Sequence, residues 1–491
     1  MKSITPFIKS EAGLIGVALV YLVLAAGCTF APNYAKPEVQ TPAVFKEPAL
    51  EQGKPAGDWQ TAAPRDDALR GKWWEIFGDT NLNAFEERVA VSNQTVAAAS
   101  AHFLAARAVV QQARSQYFPT VTASPAVTRA RVASLQTQSS PVTLNEYMLP
   151  LDASWELDFW GRIRNTVQAN SFEVQATLAD LENVRLTVQA EAAADYFQLR
   201  VLDAQTQLLE AAVRAYQESL ALTQVRHETG IASDQDVAQA ETQVNTTRAQ
   251  ATDLGIQRAQ LEHALATLLG QPASLFSLAT NPLAAKPVKI PSGLPSQLLE
   301  RRPDVAAAER RVAEANAQIG VARAAYFPAL TLSGAVGYQS SALGGLVSGP
   351  NLVWSVGASL AETLFDAGKR KAVTEQVRAN YQGTVANYRQ TVLTAFQEVE
   401  DNLATLRILA QELQQQDAAV ASSQRYLTLA NDRYRLGIDS YLNVITAQTT
   451  LLSNQRTAMN LRMQQMTASV QLIKALGGGW DVAQGAKMAR P

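Results

Sequence analysis

Residues 113–127 read ARSQYFPTVTASPAV, and residues 322–336 read ARAAYFPALTLSGAV. The likeness extends outward from these two stretches. Gly161 has a counterpart in Gly368, Gly230 in Gly437, Val237 in Val444 and Gly270 in Gly477, each 207 residues further on. The two Tyr-Phe-Pro prolines, Pro119 and Pro328, stand 209 apart. A repeat held within two residues of register marks a duplicated structural unit. What one unit contains therefore decides the fold.

Each unit opens with a helix, the first through about Leu82–Gln116, stopped by Pro119. A period-two stretch follows. In 149–159 the odd positions are Leu149, Leu151, Ala153, Trp155, Leu157 and Phe159, with Pro150, Asp152, Ser154, Glu156 and Asp158 between them. Such alternation over about ten residues fits a membrane β-strand, apolar toward lipid and polar toward a lumen. Its partner, about Phe118–Val132, alternates less cleanly. The second unit repeats the pattern at Leu330, Leu332, Val336 and Tyr338, and again at Leu352, Trp354, Val356, Ala358 and Leu360. Loops rich in Ser, Gly and Gln join each pair, giving β-hairpins over 118–160 and 327–365. Taken alone, the same alternation also fits two hairpins of a soluble sheet.

From Arg162 to Thr229 there is no Pro or Gly, and Lys369–Leu436 has only Gly383; each stretch is 68 residues. An unbroken helix of that length spans about 100 Å. Val392, Phe396, Val399, Leu403, Leu406, Ala410 and Leu413 step by four and three, and Leu199, Leu202, Leu209, Val213, Tyr216 and Leu220 do likewise. This 3.5-residue repeat makes helices coil around neighbours. Each long helix ends in a turn, Gly230-Ile231-Ala232-Ser233 or Gly437-Ile438-Asp439-Ser440, with Gly placed for a C-terminal cap and Ser to cap the next helix. Antiparallel helices return over about Asp236–Leu269 and Leu442–Leu476.

The N-terminus carries Lys2 and Lys9, a short apolar stretch Leu14–Ala26, and Ala25-Ala26-Gly27 before Cys28, the only cysteine. This is the pattern of a bacterial lipoprotein signal, cleaved before a cysteine that receives diacylglyceryl and N-acyl chains. Ala25 where Leu is usual and Glu11 after the basic residues depart from the pattern. Thr29, in place of an Asp, points away from inner-membrane retention. Residues 29–64 hold six prolines and few apolar anchors, an extended tether. The organisation expected is a signal peptide at 1–27, a tether at 28–72, a first repeat at 73–270, an equatorial linker at 271–300, a second repeat at 301–477 and a tail at 478–491.

A net charge of −2 from 42 basic and 44 acidic residues gives no reason to expect a nucleic-acid partner. His102, His227 and His263 lie far apart without metal-ligand spacing, and neither a nucleophile elbow nor a phosphate loop is present, so no enzyme is expected. Beyond Cys28 no apolar run is long enough for a spanning helix, so any crossing must use a closed β-barrel. Four strands cannot close one, because the smallest membrane barrels have about eight. The chain must combine with copies of itself, two giving eight strands and three giving twelve.

The chain resembles the TolC-like outer-membrane efflux family, in its lipoprotein branch. The match rests on Cys28 with Pro32-Asn33-Tyr34 and Pro37, and on Trp73-Trp74 with Phe77, Asp79 and Leu82. Trp155-Glu156-Leu157-Asp158 running into Gly161-Arg162 belongs to it too. So do Gly293-Leu294-Pro295, Leu298-Leu299-Glu300-Arg301-Arg302-Pro303-Asp304, Ala308-Glu309, Tyr326-Phe327-Pro328 and the two Gly–Ser turns. The resemblance implies a mainly α fold with a membrane β-barrel: a homotrimer with a twelve-stranded barrel and a periplasmic α-helical tunnel. It implies an exit duct docked to a periplasmic adaptor and an inner-membrane pump, often of the resistance-nodulation-division class. Docking would fall on the turns, at Arg226, Gly230, Ser233, Arg433, Tyr434, Gly437, Asp439 and Ser440. The tunnel constriction would fall on Leu442, Asn443 and Thr446. Relatives often carry an acidic residue at the place of Thr446, so an anionic ring is in doubt here, whereas Leu442 fits a hydrophobic seal. Competing expectations are a duct for type I protein secretion or heavy-metal export, and a lipid-anchored coiled-coil adaptor without a pore.

Overall fold

The computed structural model describes residues 31–42, 44–47, 72–133, 141–281 and 302–478. Cys28, the signal segment, most of the equatorial linker and all but the first residue of the tail lie outside the described residues. The first half holds α1 (Thr80–Ser92), α2 (Gln94–Ser115), β1 (Thr120–Ala123), β2 (Ala126–Val132), β3 (Val142–Leu157), α3 (Arg162–Glu228) and α4 (Asp234–Leu268). The second holds α5 (Pro303–Ala324), β4 (Ala329–Ser340), β5 (Leu352–Ala361), α6 (Lys369–Arg435) and α7 (Tyr441–Ala475). The halves match in length: α2 and α5 have 22 residues, α3 and α6 have 67, and α4 and α7 have 35.

One difference from the sequence expectation lies in the first helix, which breaks at Asn93. The Asn93 Oδ1 accepts from the N–H groups of Thr95 and Val96 at 2.9 and 3.1 Å, capping α2. Its Nδ2 donates to the carbonyl of Leu268 at 2.8 Å, so a contact with α4 fixes the break. Asp79 caps α1 in the same way and also accepts from the Tyr196 hydroxyl at 2.9 Å.

The strands form one antiparallel sheet in which β1 and β2 lie end to end along β3, β3 pairs β4, and β4 pairs β5. The gap between β1 and β2 falls at Ser124-Pro125, beside Pro150 of β3, where two prolines remove ladder donors. Pro150 also faces Gly337; a Cβ there would lie 2.4 Å from the Leu149 carbonyl oxygen. The register brings the alternation of neighbouring strands into line. Leu149, Leu151, Ala153, Trp155 and Leu157 stand opposite Tyr338, Val336, Gly334, Leu332 and Leu330. These in turn face Leu352, Trp354, Val356, Ala358 and Leu360. Partners across an antiparallel pair share a face, so three strands place their apolar set on one side. Asp152, Ser154, Glu156, Thr331, Ser333, Ser355 and Ser359 occupy the other. Nine residues per strand match what a tilted strand needs to cross a bilayer, about 9–11.

At the base of the sheet an acidic residue turns the chain into each long helix. Asp158 accepts from the N–H groups of Ile163 and Arg164, and Asp366 from those of Gly368 and Arg370, at 2.8–3.1 Å. Carboxylates suit this place because they satisfy free amides and the positive end of the helix dipole. Trp160 stacks on Phe327 with ring centres 4.9 Å apart and donates its indole N–H to the Pro328 carbonyl. The heptad residues of α6, from Val392 to Tyr434, are buried or half-buried. The main core gathers Trp73, Trp74, Phe77, Leu82, Phe85, Tyr196, Phe197 and Val470. Glu86 is fully buried on α1, both its oxygens unpartnered. Arg302 closes the start of α5, bonded to Asp304, Glu398 and the Ala475 carbonyl.

Candidate functional site

The α3–α4 and α6–α7 turns sit side by side at the end of the helices remote from the sheet. Both long helices end in the same six-residue closure. Gly230 N–H donates to the His227 carbonyl and Ile231 N–H to that of Arg226, each at 2.8 Å. Gly437 N–H donates to Tyr434 and Ile438 N–H to Arg433, each at 2.9 Å. This paired closure requires a left-handed residue, and Gly230 and Gly437 supply it with φ of 74° and 75°. Ser233 forms a full capping box: its Oγ accepts from Asp236 N–H at 3.2 Å, and Asp236 accepts from Ser233 N–H at 3.0 Å. Ser440 does not cap with its side chain, contrary to the sequence expectation. The corresponding third position in α7 is Asn443, not an Asp.

The turns are tied together by Arg226. Its Nη1 donates to the carbonyls of Tyr434 and Arg435 at 2.8 and 3.3 Å, and its guanidinium lies 4.6 Å from the Tyr434 ring centre. An arginine of one half thus caps the carbonyl end of the long helix in the other, where a cation is favoured. Tyr434 packs against Tyr441, 5.2 Å between ring centres, and its hydroxyl meets Thr223 Oγ1 at 3.3 Å. At 6% exposed it props the turns from beneath. Burial pushes the Tyr441 hydroxyl up to about 12. Arg433 forms a bidentate pair with Asp439 at 2.5 and 3.2 Å. The guanidinium holds the Asp439 carboxyl below its usual range, so both charges persist at neutral pH.

Leu442, Asn443 and Thr446 lie on one exposed face of α7, opposite buried Tyr441, Val444 and Ala447. Leu442 is 56% exposed in the single chain. Thr446 Oγ1 donates to the Leu442 carbonyl at 2.9 Å. Ile231, Leu436 and Ile438 of the turns are exposed as well. Their apolar type at a polar helix end was the only signal for them. Thr223 and Ala240, buried beneath the turns, carried none. Among the described residues no group of three His, Cys, Asp or Glu is placed to hold a metal, and no helix is long and apolar enough to cross a membrane.

Duplicated helical hairpins whose longer arm runs about 100 Å, joined to a sheet with one apolar face, mark the chain as part of an outer-membrane duct. Relatives bear this out. The family model for outer membrane efflux protein matches residues 87–271 and 294–478, and the chain belongs to that family. It is 33% identical to the solvent efflux pump outer membrane protein SrpC of Pseudomonas putida, over 94% of this chain and 98% of that protein. It is 30% identical to the cation efflux system protein CusC of Escherichia coli, over 93% and 96%. Among solved structures it is similar to the outer-membrane channel OprN, with a TM-score of 0.84, 28% identity and coverage of 92% and 100%. It is likewise similar to CusC, with a TM-score of 0.80. The protein is an outer-membrane efflux channel component and not an enzyme. Channels of this kind work with adaptor and inner-membrane pump partners.

Proposed function

We propose that three copies close their sheets into a twelve-stranded barrel, continued by a helical tunnel, and that this trimer is the exit duct for small apolar molecules. The carrying observation is the register that gathers the apolar residues of β3, β4 and β5 on one face while β5 and the β1/β2 row remain free edges. Unpaired edges are not tolerated in lipid, so they must pair between copies. Eight strands leave an interior filled by side chains, whereas twelve leave room for a water-filled path. Relatives named for solvent, toluene and antibiotic efflux stand at 33–34% identity, which favours organic cargo.

Cys28, with diacylglyceryl and N-acyl chains, anchors each copy in the inner leaflet of the outer membrane. The turn residues, with Arg433, Asp439, Ile231 and Ile438 foremost, dock a periplasmic adaptor that couples the duct to an inner-membrane pump. Leu442, Asn443 and Thr446 from three copies form the constriction. Purified acylated protein in planar bilayers tests this proposal: it is expected to give stepwise channel currents and a trimeric mass in mild detergent. A monomer that stays electrically silent sinks it.

A further inference from the structure

Residues 31–42 and 44–47 lie as an extended strap along the helices, and their contacts run in one direction. Ala31 sits against Gly320 of α5, where a Cβ would come within 2.7 Å of it and 2.6 Å of Asn165. The Pro32 carbonyl accepts from Asn316 Nδ2 at 2.7 Å. The Tyr34 hydroxyl donates to Glu309, and Tyr34 and Val39 pack against Val305, Val312 and Tyr388. Further along, both oxygens of Glu400 on α6 receive consecutive main-chain N–H groups, Lys46 at 2.6 Å and Glu47 at 2.9 Å. Glu47 pairs with Arg407 at 2.8 Å, and Phe45 packs beside Val399 and Leu403.

The lengths agree with a strap near full extension. Arg407 lies 38 residues into α6, about 57 Å from the sheet end. Asn316 lies eight residues before the end of α5, about 12 Å from it. The difference, about 45 Å, is close to the ~50 Å that fifteen extended residues can cover. The upper seat is therefore near the sheet and the lower seat far down the helices.

We propose that the seated strap is an orienting tether, which holds the sheet end of each unassembled chain against the membrane until the barrel closes. This rests on the acylation of Cys28. Ala31 is only three steps along the chain from Cys28, and such a link reaches about 10 Å. With the strap seated, the base of the sheet at Trp160 and Phe327 stays next to the leaflet that holds the acyl chains. Without the seat, the link can lengthen to as much as the 44 chain steps from Cys28 to Lys72. The local concentration of the sheet at the membrane then falls, roughly as the −3/2 power of link length. The strap thus serves insertion, a step the finished trimer no longer needs.

The test is a pulse-chase in cells that follows the appearance of SDS-resistant trimer, with palmitate incorporation measured in the same samples. Twelve Gly/Ser residues inserted after Thr29 lengthen the free link about fivefold and leave every strap contact in place. Trimer is expected to form about tenfold more slowly, with the same conductance once formed. The double variant Asn316→Ala with Glu400→Gln removes the bond to the Pro32 carbonyl and one of the two acceptors for the Lys46 and Glu47 N–H groups without adding atoms, and is expected to slow assembly while palmitate uptake stays unchanged. Labelled chains of both variants that assemble at the wild-type rate overturn the tether proposal and leave acylation standing. A wild-type chain that takes up no palmitate overturns both.

Discussion

Glu86 offers a quantitative check on the helical core. It is fully buried on α1 among Phe85, Leu82 and Val89, with neither oxygen hydrogen-bonded. Burial alone pushes its carboxyl up from 4.5 to about 9. The folded protein therefore keeps this group protonated where the unfolded chain has released the proton. Between pH 4.5 and 9 the native state binds more protons, so stability falls as pH rises and levels off above the folded value. Each pH unit is worth about 1.4 kcal/mol, and at pH 7 the accumulated cost is about 3 kcal/mol. Glu86→Gln keeps the size of the side chain and removes the titration. It is expected to stabilise the protein by about 3 kcal/mol at pH 7 and by nearly nothing at pH 4.5. Thermal unfolding in detergent, followed by circular dichroism at 222 nm across a pH series, reads the difference. A midpoint gain of equal size at pH 5 and pH 8, or a loss at pH 8, refutes the reasoning.

Four further outcomes are expected. Val356→Arg on the apolar face of β5 is expected to cost about 2–4 kcal/mol at mid-bilayer and to deplete assembled trimer, whereas Ser355→Arg on the opposite face leaves assembly intact; equal loss from both would reverse the assignment of faces. Gly437→Val forces a branched residue to φ near 75°, costing about 1–3 kcal/mol, and should disorder the second turn by amide exchange while Gly437→Asn is nearly neutral. Arg226→Ala removes two charge-assisted bonds worth about 1.5–3 kcal/mol each, so the last amides of α6 should exchange at least tenfold faster; unchanged exchange shows the tie to be dispensable. Leu442→Ala is expected to raise single-channel conductance, and a conductance that stays low assigns Leu442 to packing between copies.

The long helices, turns and hairpins were legible because their signals are local. The absence of Pro and Gly over 68 residues, a 3.5-residue apolar step and a Gly at a helix end each act within a few residues of themselves. The break at Asn93 was not legible, since no breaker stands there and its cause is a carbonyl 175 residues away. The Arg226 tie was hidden for the same reason, its partner lying 208 residues on. Ser233 and Ser440 looked equivalent, and only the different third residues, Asp236 and Asn443, separate a capping box from an uncapped start. Alternation alone left the strands open to a soluble sheet; register, a property of pairs, was needed to show that the apolar positions of three strands share one face. The docking and constriction residues were named by family likeness. The fold adds that Leu442, Asn443 and Thr446 share an exposed face and that Tyr434 does not belong to the surface.

The pairing of β3 with β4 inside one chain has a genetic corollary. In the proposed trimer it makes the boundary between the duplicated halves permanent, so that a ring of six half-units would be sealed at only three places, each a junction of β5 with a neighbour's β1/β2 row. A subunit altered at one such rim spoils every complex it enters. Co-expressed in equal amounts with the normal form, it leaves about one complex in eight wholly normal for a three-membered ring. Rim variants should therefore behave as dominant inhibitors, whereas loss of the protein altogether should be recessive.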